Sequence, residues 1–346
     1  MSDTFPFNAS GTLSYNDTIV VDGAPDIASK GEIPTDKLTR MIALCVITVV
    51  TIVGNVLVYA WLALHRSDKA RINQYVWALA TADLTVALFP LLFNIALPRD
   101  HPWKAGDALC RIRMLLESVA LMASSNMVVA IAVDRFYSVM YPLKKALSER
   151  VVILVSWGLA FLFSIPNLHV FRTYTTENGT EAYCRSMFRD RPKYVQQIYF
   201  SYVTLVVFLI PFIMICFTYF MIITRLFSEG KSSFKSSWKR SARWRTMKMT
   251  FVIIATYVLC NTPFFITELI IVYAGRNSVN PYVYAVFSVF VTSNSATNPF
   301  VFLYFTVCKR KKKRQPASEN QTTMETQYTT APNKITKSNR NSPAKM

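Results

Sequence analysis

Seven stretches of apolar residues, each long enough to cross a bilayer as a helix, constrain this chain more than any other feature. A hydrocarbon core about 30 Å thick takes roughly 20 residues per helical crossing. The runs are Met41–Leu64, Val76–Leu97, Met114–Met140, Val151–Val170, Tyr194–Phe227, Met249–Tyr273 and Tyr282–Val307. Lipid offers no water to backbone N–H and C=O groups, so such runs must satisfy them internally as helices. The expected fold is therefore all-α: a seven-transmembrane helix bundle over residues 39–314, with a short amphipathic cytoplasmic helix after the seventh span. The first run begins too far from the N-terminus, and is too long, to be a secretory signal peptide. With 52% hydrophobic and only 17% charged residues among 346, the chain is also too apolar for a soluble domain of this size.

An odd number of spans puts the termini on opposite sides, and basic residues near the span ends choose between the two orientations. With the N-terminus outside, 24 Lys and Arg fall on the inner side against 11 on the outer. Residues 1–38 then form an extracellular segment, and a multi-pass plasma-membrane protein is expected. Asn8-Ala9-Ser10, Asn16-Asp17-Thr18 and Asn178-Gly179-Thr180 read as glycosylation acceptors, all on that side. The net charge of +18 sits beside the spans, where anionic inner-leaflet lipid is its natural partner. Nucleic acid is excluded as a partner, because a spanning bundle offers it no groove. Residues 315–346 have almost no large apolar side chains and are expected to form a disordered cytoplasmic tail.

Cys45, Cys216 and Cys260 lie within spans and read as small packing residues. Cys110, at the outer start of the third span, and Cys184, in the next outer loop, occupy the oxidising compartment and are expected to form a disulfide. Cys308 precedes Lys309–Arg314, a juxtamembrane setting suited to palmitoylation.

Ionisable groups at membrane depth are costly unless paired or hydrated, so each is a functional candidate. They are Asp83 in the second span, Glu117, Asp134 and Arg135 in the third, and Glu268 in the sixth. Nothing points to an enzyme: His65, His101 and His169 sit at helix ends or in loops, and no nucleophile has a base at helical spacing. A transporter would show internal repeats and paired broken helices, which these spans lack.

Motifs now join the hydropathy. The order is Gly54-Asn55-Val56, Leu79-Ala80-Thr81-Ala82-Asp83, Cys110 followed by Asp134-Arg135-Phe136, Trp157, Pro211 with Tyr219, Cys260-Asn261-Thr262-Pro263, and Asn294-Ser295 followed by Asn298-Pro299. Over Thr39 to about Arg314 this resembles the rhodopsin-like (class A) G-protein-coupled receptors. Asp134-Arg135-Phe136 running into Tyr141-Pro142-Leu143, Pro263-Phe264-Phe265 and Asn294–Phe300 look most like the vasopressin/oxytocin, gonadotropin-releasing-hormone and related neuropeptide receptors. The resemblance implies a ligand held between the outer helix ends and a cytoplasmic cleft that admits a heterotrimeric G protein, with arrestin and a receptor kinase as further partners. It implies a polar network of Asp83, Ser124, Asn294, Ser295 and Asn298, backed by Asn55, able to hold an allosteric sodium ion; no other cofactor is expected. It implies coupling and activation roles for Asp134, Arg135, Phe136, Tyr219, Asn261, Pro263, Asn298 and Pro299. Three positions depart from the pattern: Asn261 stands where an aromatic is usual, Phe302 replaces a tyrosine, and Arg243 takes the place of an acid.

The ligand-binding residues that the resemblance implies are Asn94, Arg113, Glu117, Leu121, Phe264, Glu268 and Tyr282. Glu117 lies where amine receptors carry their counter-ion, so a biogenic amine is the alternative ligand. At i and i+4, Arg113 and Glu117 also suit an internal salt bridge. A rim of mixed charge and aromatic residues, Trp103, Arg185 and Tyr282 among them, suits a peptide, whose many contacts offset its ordering entropy. Asn261 is expected to hydrogen-bond, with Asn294 the nearest polar candidate.

Overall fold

The computed structural model describes residues 34–65, 71–97, 101–143, 147–176, 181–229 and 237–308. Asn8, Asn16, Asn178, the tail 315–346, most of the segment 1–38, the side chains of Arg243 and Cys308 and any amphipathic helix beyond Cys308 lie outside the described residues.

Seven long helices form the bundle. They are α1 (Pro34–Leu64), α2 (Arg71–Ala96), α3 (Gly106–Met140), α4 (Glu149–Val170), α5 (residues 193–229), α6 (Ser237–Ala274) and α7 (Pro281–Leu303). Several begin before the apolar runs, because a helix continues through the polar interface once its core is nucleated. The first starts at Pro34, inside the segment expected to precede the bundle. All but α7 contain a stretch long and apolar enough to cross a membrane on that ground alone. In α7, Ser288, Thr292, Ser293, Asn294, Ser295, Thr297 and Asn298 dilute the hydropathy. A short π-helical segment, Tyr304–Cys308, follows.

The helices divide their faces between lipid and core. On α1, Thr51, Asn55, Val58 and Leu62 are buried at helical spacing, while Val46, Val49, Val53 and Leu57 on other faces are exposed. Such a wide exposed apolar surface belongs in lipid. Gly54 sits on the inward stripe, where a Cβ would meet Pro299 Cβ at 3.0 Å, so α1 and α7 approach as closely as they do only because that position is glycine. Buried on most sides, α3 is the central strut, with Ala120, Ala123, Met127, Val128, Ile131 and Ala132 nearly inaccessible.

Proline interrupts α4 at Pro166, between Ser164 and Asn167, and shapes four more of the helices. In α2 a π-helical turn, Ala87–Leu91, contains Pro90; in α5 another, Thr204–Leu209, ends just before Pro211; α6 and α7 enclose Pro263 and Pro299. Pro211 has no N–H to return to the Val207 carbonyl. The Tyr257 hydroxyl of α6 donates to that oxygen instead, at 3.0 Å, tying α6 to the break in α5.

Between α4 and α5 the chain forms a hairpin that the apolar runs did not foretell. β1 (Phe171–Thr175) pairs antiparallel with β2 (Ala182–Ser186), Thr173 opposite Cys184. Cys184 is joined to Cys110 at the start of α3, the Cα atoms 5.6 Å apart. Asp107 accepts from the Thr173 backbone N–H at 2.8 Å, a second attachment of hairpin to α3. Beneath, Met114, Phe171, Phe188, Tyr199, Phe200, Val272 and Tyr284 form an apolar cluster.

Candidate functional site

A cavity of about 260 Å³ lies in the bundle below this hairpin. Phe171 forms part of its roof, and Asn294, Ser295 and Ser124 line its depth. Of the residues named for ligand binding, Asn94, Glu117, Leu121, Phe264 and Glu268 line it. Tyr282 does not: it lies 70% exposed near the start of α7, and the tyrosine that faces the cavity is Tyr284, two residues on. Hydropathy locates the span without fixing which side of its first turn faces inward. Arg113 stands behind Glu117, its Nε 2.8 Å from Glu117 Oε1. Both are buried, and Arg113 also donates to Leu97 O at 2.9 Å and lies 5.6 Å from the centroids of Phe93 and Trp103. Glu268, buried as well, accepts from the Tyr284 hydroxyl at 2.8 Å.

Asn261 also lines the cavity, without a direct bond to Asn294: its Nδ2 donates to the Tyr257 carbonyl of its own helix at 2.7 Å. An i to i−4 return of this kind satisfies a buried amide locally, at no cost in reaching across the cavity. Asn294 lines the same space, its Oδ1 buried and without a hydrogen-bond partner among the described residues.

Below the cavity the polar residues of α2, α3 and α7 converge. Asp83 is fully buried, accepting from Ser124 Oγ at 2.7 Å and from Asn298 Nδ2 at 2.9 Å. Asn55 Nδ2 donates to Thr51 O at 2.9 Å and to Ser295 O at 3.4 Å, which links α1 to α7 behind the carboxylate. Asn298 Oδ1, like Asn294 Oδ1, is buried and has no hydrogen-bond partner among the described residues. The Asp83 carboxylate, with the amide oxygen of Asn298, the residue bonded to it, and that of Asn294 one turn away on the same helix, makes an oxygen-donor set that fits a hard cation.

At the far end of α3, Asp134 pairs with Arg135 and also with Arg71, one of the basic residues counted on the inner side. Arg71 donates to Asp134 Oδ1 from Nε at 3.2 Å and Nη2 at 3.0 Å, to Leu147 O at 2.8 Å, and its Nη1 lies 2.9 Å from Glu149 Oε1. One guanidinium thus joins the starts of α2 and α4 to the end of α3, using its planar fork against a carboxylate. Phe136 packs against Tyr137 and Tyr141, and Tyr219 of α5 against Phe251 of α6. Phe302 is buried edge-on against Trp61, 5.4 Å between centroids, so α7 docks on α1 through an apolar contact at that position.

The sequence model of the seven-transmembrane receptors of the rhodopsin family matches residues 54–302, most of the chain. The Neuropeptide S receptor of Homo sapiens is 30% identical over 293 residues, 78% of this chain and 77% of the relative. Cephalotocin receptor 1 of Octopus vulgaris is 25% identical over 320 residues, 79% of each, and the Vasopressin V2 receptor of Homo sapiens 28% over 330, 85% of this chain and 88% of the relative. The order of helices, the disulfide at the start of α3 and the polar residues gathered around Asp83 agree with that match: the chain belongs to the rhodopsin family of seven-transmembrane receptors.

Proposed function

We propose that this chain is a plasma-membrane receptor for a secreted peptide, with its N-terminus and disulfide end outside, and that it activates a heterotrimeric G protein at the Asp134 end. One observation carries the reading. A single cavity reaches from Glu268 near the hairpin down to Ser124, Asn294 and Ser295, so a ligand at its top bears on the same space as the polar network. Some 260 Å³ holds only a few side chains, the tip of a peptide, while the rest would lie over the rim, where Arg185 stacks on Tyr183 and Trp103 packs under the hairpin. The relatives are named for neuropeptide S, cephalotocin and vasopressin. A biogenic amine fits less well, since Glu117, the counter-ion it would need, already holds Arg113. The basic inner segments would meet anionic lipid, and the tail would serve a receptor kinase and arrestin. The test is a neuropeptide library applied to the receptor in nanodiscs with purified G proteins: at least one peptide should drive nucleotide exchange, and a library of amines should not.

Asp83, with Asn294, Asn298, Ser124 and Ser295, would hold a sodium ion, which supplies the positive charge that the buried carboxylate otherwise lacks. Sodium should then lower agonist affinity several-fold, and Asp83→Asn should erase that dependence. Equal sodium sensitivity in receptor and variant would show the effect to arise elsewhere.

Arg71 shares the Asp134 carboxylate with Arg135, and holds it in place from α2 and α4. Arg71→Gln should loosen the carboxylate and raise ligand-independent nucleotide exchange several-fold, by less than Asp134→Asn does. Basal exchange unchanged in Arg71→Gln but raised in Asp134→Asn would make Arg71 a staple of the fold alone.

A further inference from the structure

The two carboxylates of the cavity differ in what holds them. Glu117 has its cation, Arg113, at 2.8 Å. Glu268, only 4% exposed, has one oxygen taken by the neutral Tyr284 hydroxyl, while Oε2 is buried and, among the described residues, receives no hydrogen bond, although Arg40 lines the same cavity. An anion out of water with half its acceptor capacity unused is a costly arrangement unless something else supplies a donor. The neighbours favour a positive one. Phe264 and Tyr284 lie side by side with ring centroids 6.0 Å apart, and both line the cavity with Glu268. Aromatic faces beside a carboxylate attract a cation from two directions, through the ring quadrupole and through a charge-assisted hydrogen bond.

We propose that Glu268, rather than Glu117, is the counter-ion for a cationic group of the ligand, a guanidinium or an ammonium, which reaches Oε2 and lies against Phe264 and Tyr284. This rests on the reading of the cavity as the ligand site. It turns the amine-receptor logic around, because the acid at the amine position already holds a guanidinium in a direct bond, whereas the acid on α6 feels Arg276 only through space and keeps Oε2 open to a donor. The cation belongs either to an Arg or Lys side chain of a peptide or to its N-terminus.

Three small probes separate these sources in the full-length receptor in nanodiscs: Nα-acetylargininamide carries only a guanidinium, leucinamide only an α-ammonium, and Nα-acetylleucinamide no charge. Affinity is read from the rise in thermal unfolding midpoint with probe concentration. One of the cations should bind at least tenfold more tightly than the neutral probe, and which one it is tells a guanidinium from an ammonium. Glu268→Gln keeps an acceptor for Tyr284 and should abolish the preference, Glu268→Asp should keep part of it, and the paired variant Arg113→Gln/Glu117→Gln should weaken it less than Glu268→Gln does. The midpoint without probe reports whether each variant folds. The proposal is overturned if the receptor shows no preference for either cation, if the preference survives Glu268→Gln, or if only the paired variant loses it. Failure of the peptide reading would appear separately, as an absence of peptide-driven nucleotide exchange with the cation preference intact.

Discussion

Serine in place of Cys110 or Cys184 is expected to remove most of the receptor from the cell surface and to abolish the response of what remains. The bridge closes a loop of 74 residues, for which the chain-entropy account gives about 4 kcal/mol, an upper figure here because helices already restrict the unfolded chain in the bilayer. Packing adds to that. Cys110 is inaccessible and Cys184 nearly so, both inside the cluster with Phe171, Phe188 and Tyr284, so each serine would bury a hydroxyl among apolar groups. The hairpin would keep Asp107 to Thr173 as its remaining polar tie to α3, too little to hold Phe171 over the cavity. Surface labelling and agonist binding in each single variant and in Cys110→Ala/Cys184→Ala provide the check. If loss of the bridge is the cause, the double variant should be no worse than either single one. Wild-type binding in both serine variants would show the hairpin to be held without the bridge, by packing and its hydrogen bonds to Asp107 and Trp103.

How far the sequence reaches depends on the range of the interaction involved. Crossing helices are legible because lipid imposes one rule on every residue of a run, and the spans stood in the right order before any contact was known. The polar residues of α7 were named in advance through the resemblance rather than through hydropathy, since Asn294, Ser295 and Asn298 belong to the motif that carries it. The π-turns at Ala87–Leu91 and Thr204–Leu209 left no such trace: one extra residue in a turn rotates the helix beyond it without altering hydropathy. Hydropathy is equally silent on which way one turn faces: Tyr282 and Tyr284, two residues apart at the start of α7, are one exposed and one buried. The hairpin was hidden for a related reason, as five-residue strands among Arg, Thr and Tyr lack an alternation clear enough to read.

Charged residues divide in the same way. Arg113 and Glu117 are four apart on one helix, so their pairing was an open alternative from spacing alone. Arg71 and Asp134 are 63 residues apart on different helices, and a count of charges by membrane side cannot tell a lipid contact from a clamp. Glu268 is the hardest case, because what distinguishes it is the lack of a donor at Oε2, a property of all the helices around it at once. Asn261 differs again: the bond it makes is local, to Tyr257 on its own helix, and the sequence reading looked across the bundle when the nearer carbonyl was available. That choice leaves its amide oxygen the part of the group able to meet the cavity.

Neutralising one member of the Arg113–Glu117 pair is expected to damage the receptor far more than neutralising both. The two side chains are 4% and 7% exposed, so a single change leaves an uncompensated charge in a dry site, which typically costs about 3–5 kcal/mol. After Glu117→Gln the guanidinium would retain the Leu97 carbonyl and the faces of Phe93 and Trp103, which soften the loss. After Arg113→Gln the carboxylate loses the guanidinium at 2.8 Å, so this variant too should be destabilised. In Arg113→Gln/Glu117→Gln no charge is left to strand, and the two amides can hydrogen-bond at the same i, i+4 spacing, so surface expression and thermal stability should recover most of the way. The measurement is a double-mutant cycle on the unfolding midpoint of the purified receptor, with surface expression followed in parallel. A double variant as unstable as the two singles combined would mean that the partners act independently, and that the 2.8 Å contact between them contributes little. Recovery of stability without recovery of agonist potency would instead assign the pair a second role in shaping the wall on which the ligand rests, separable from its role in holding α3 against the end of α2.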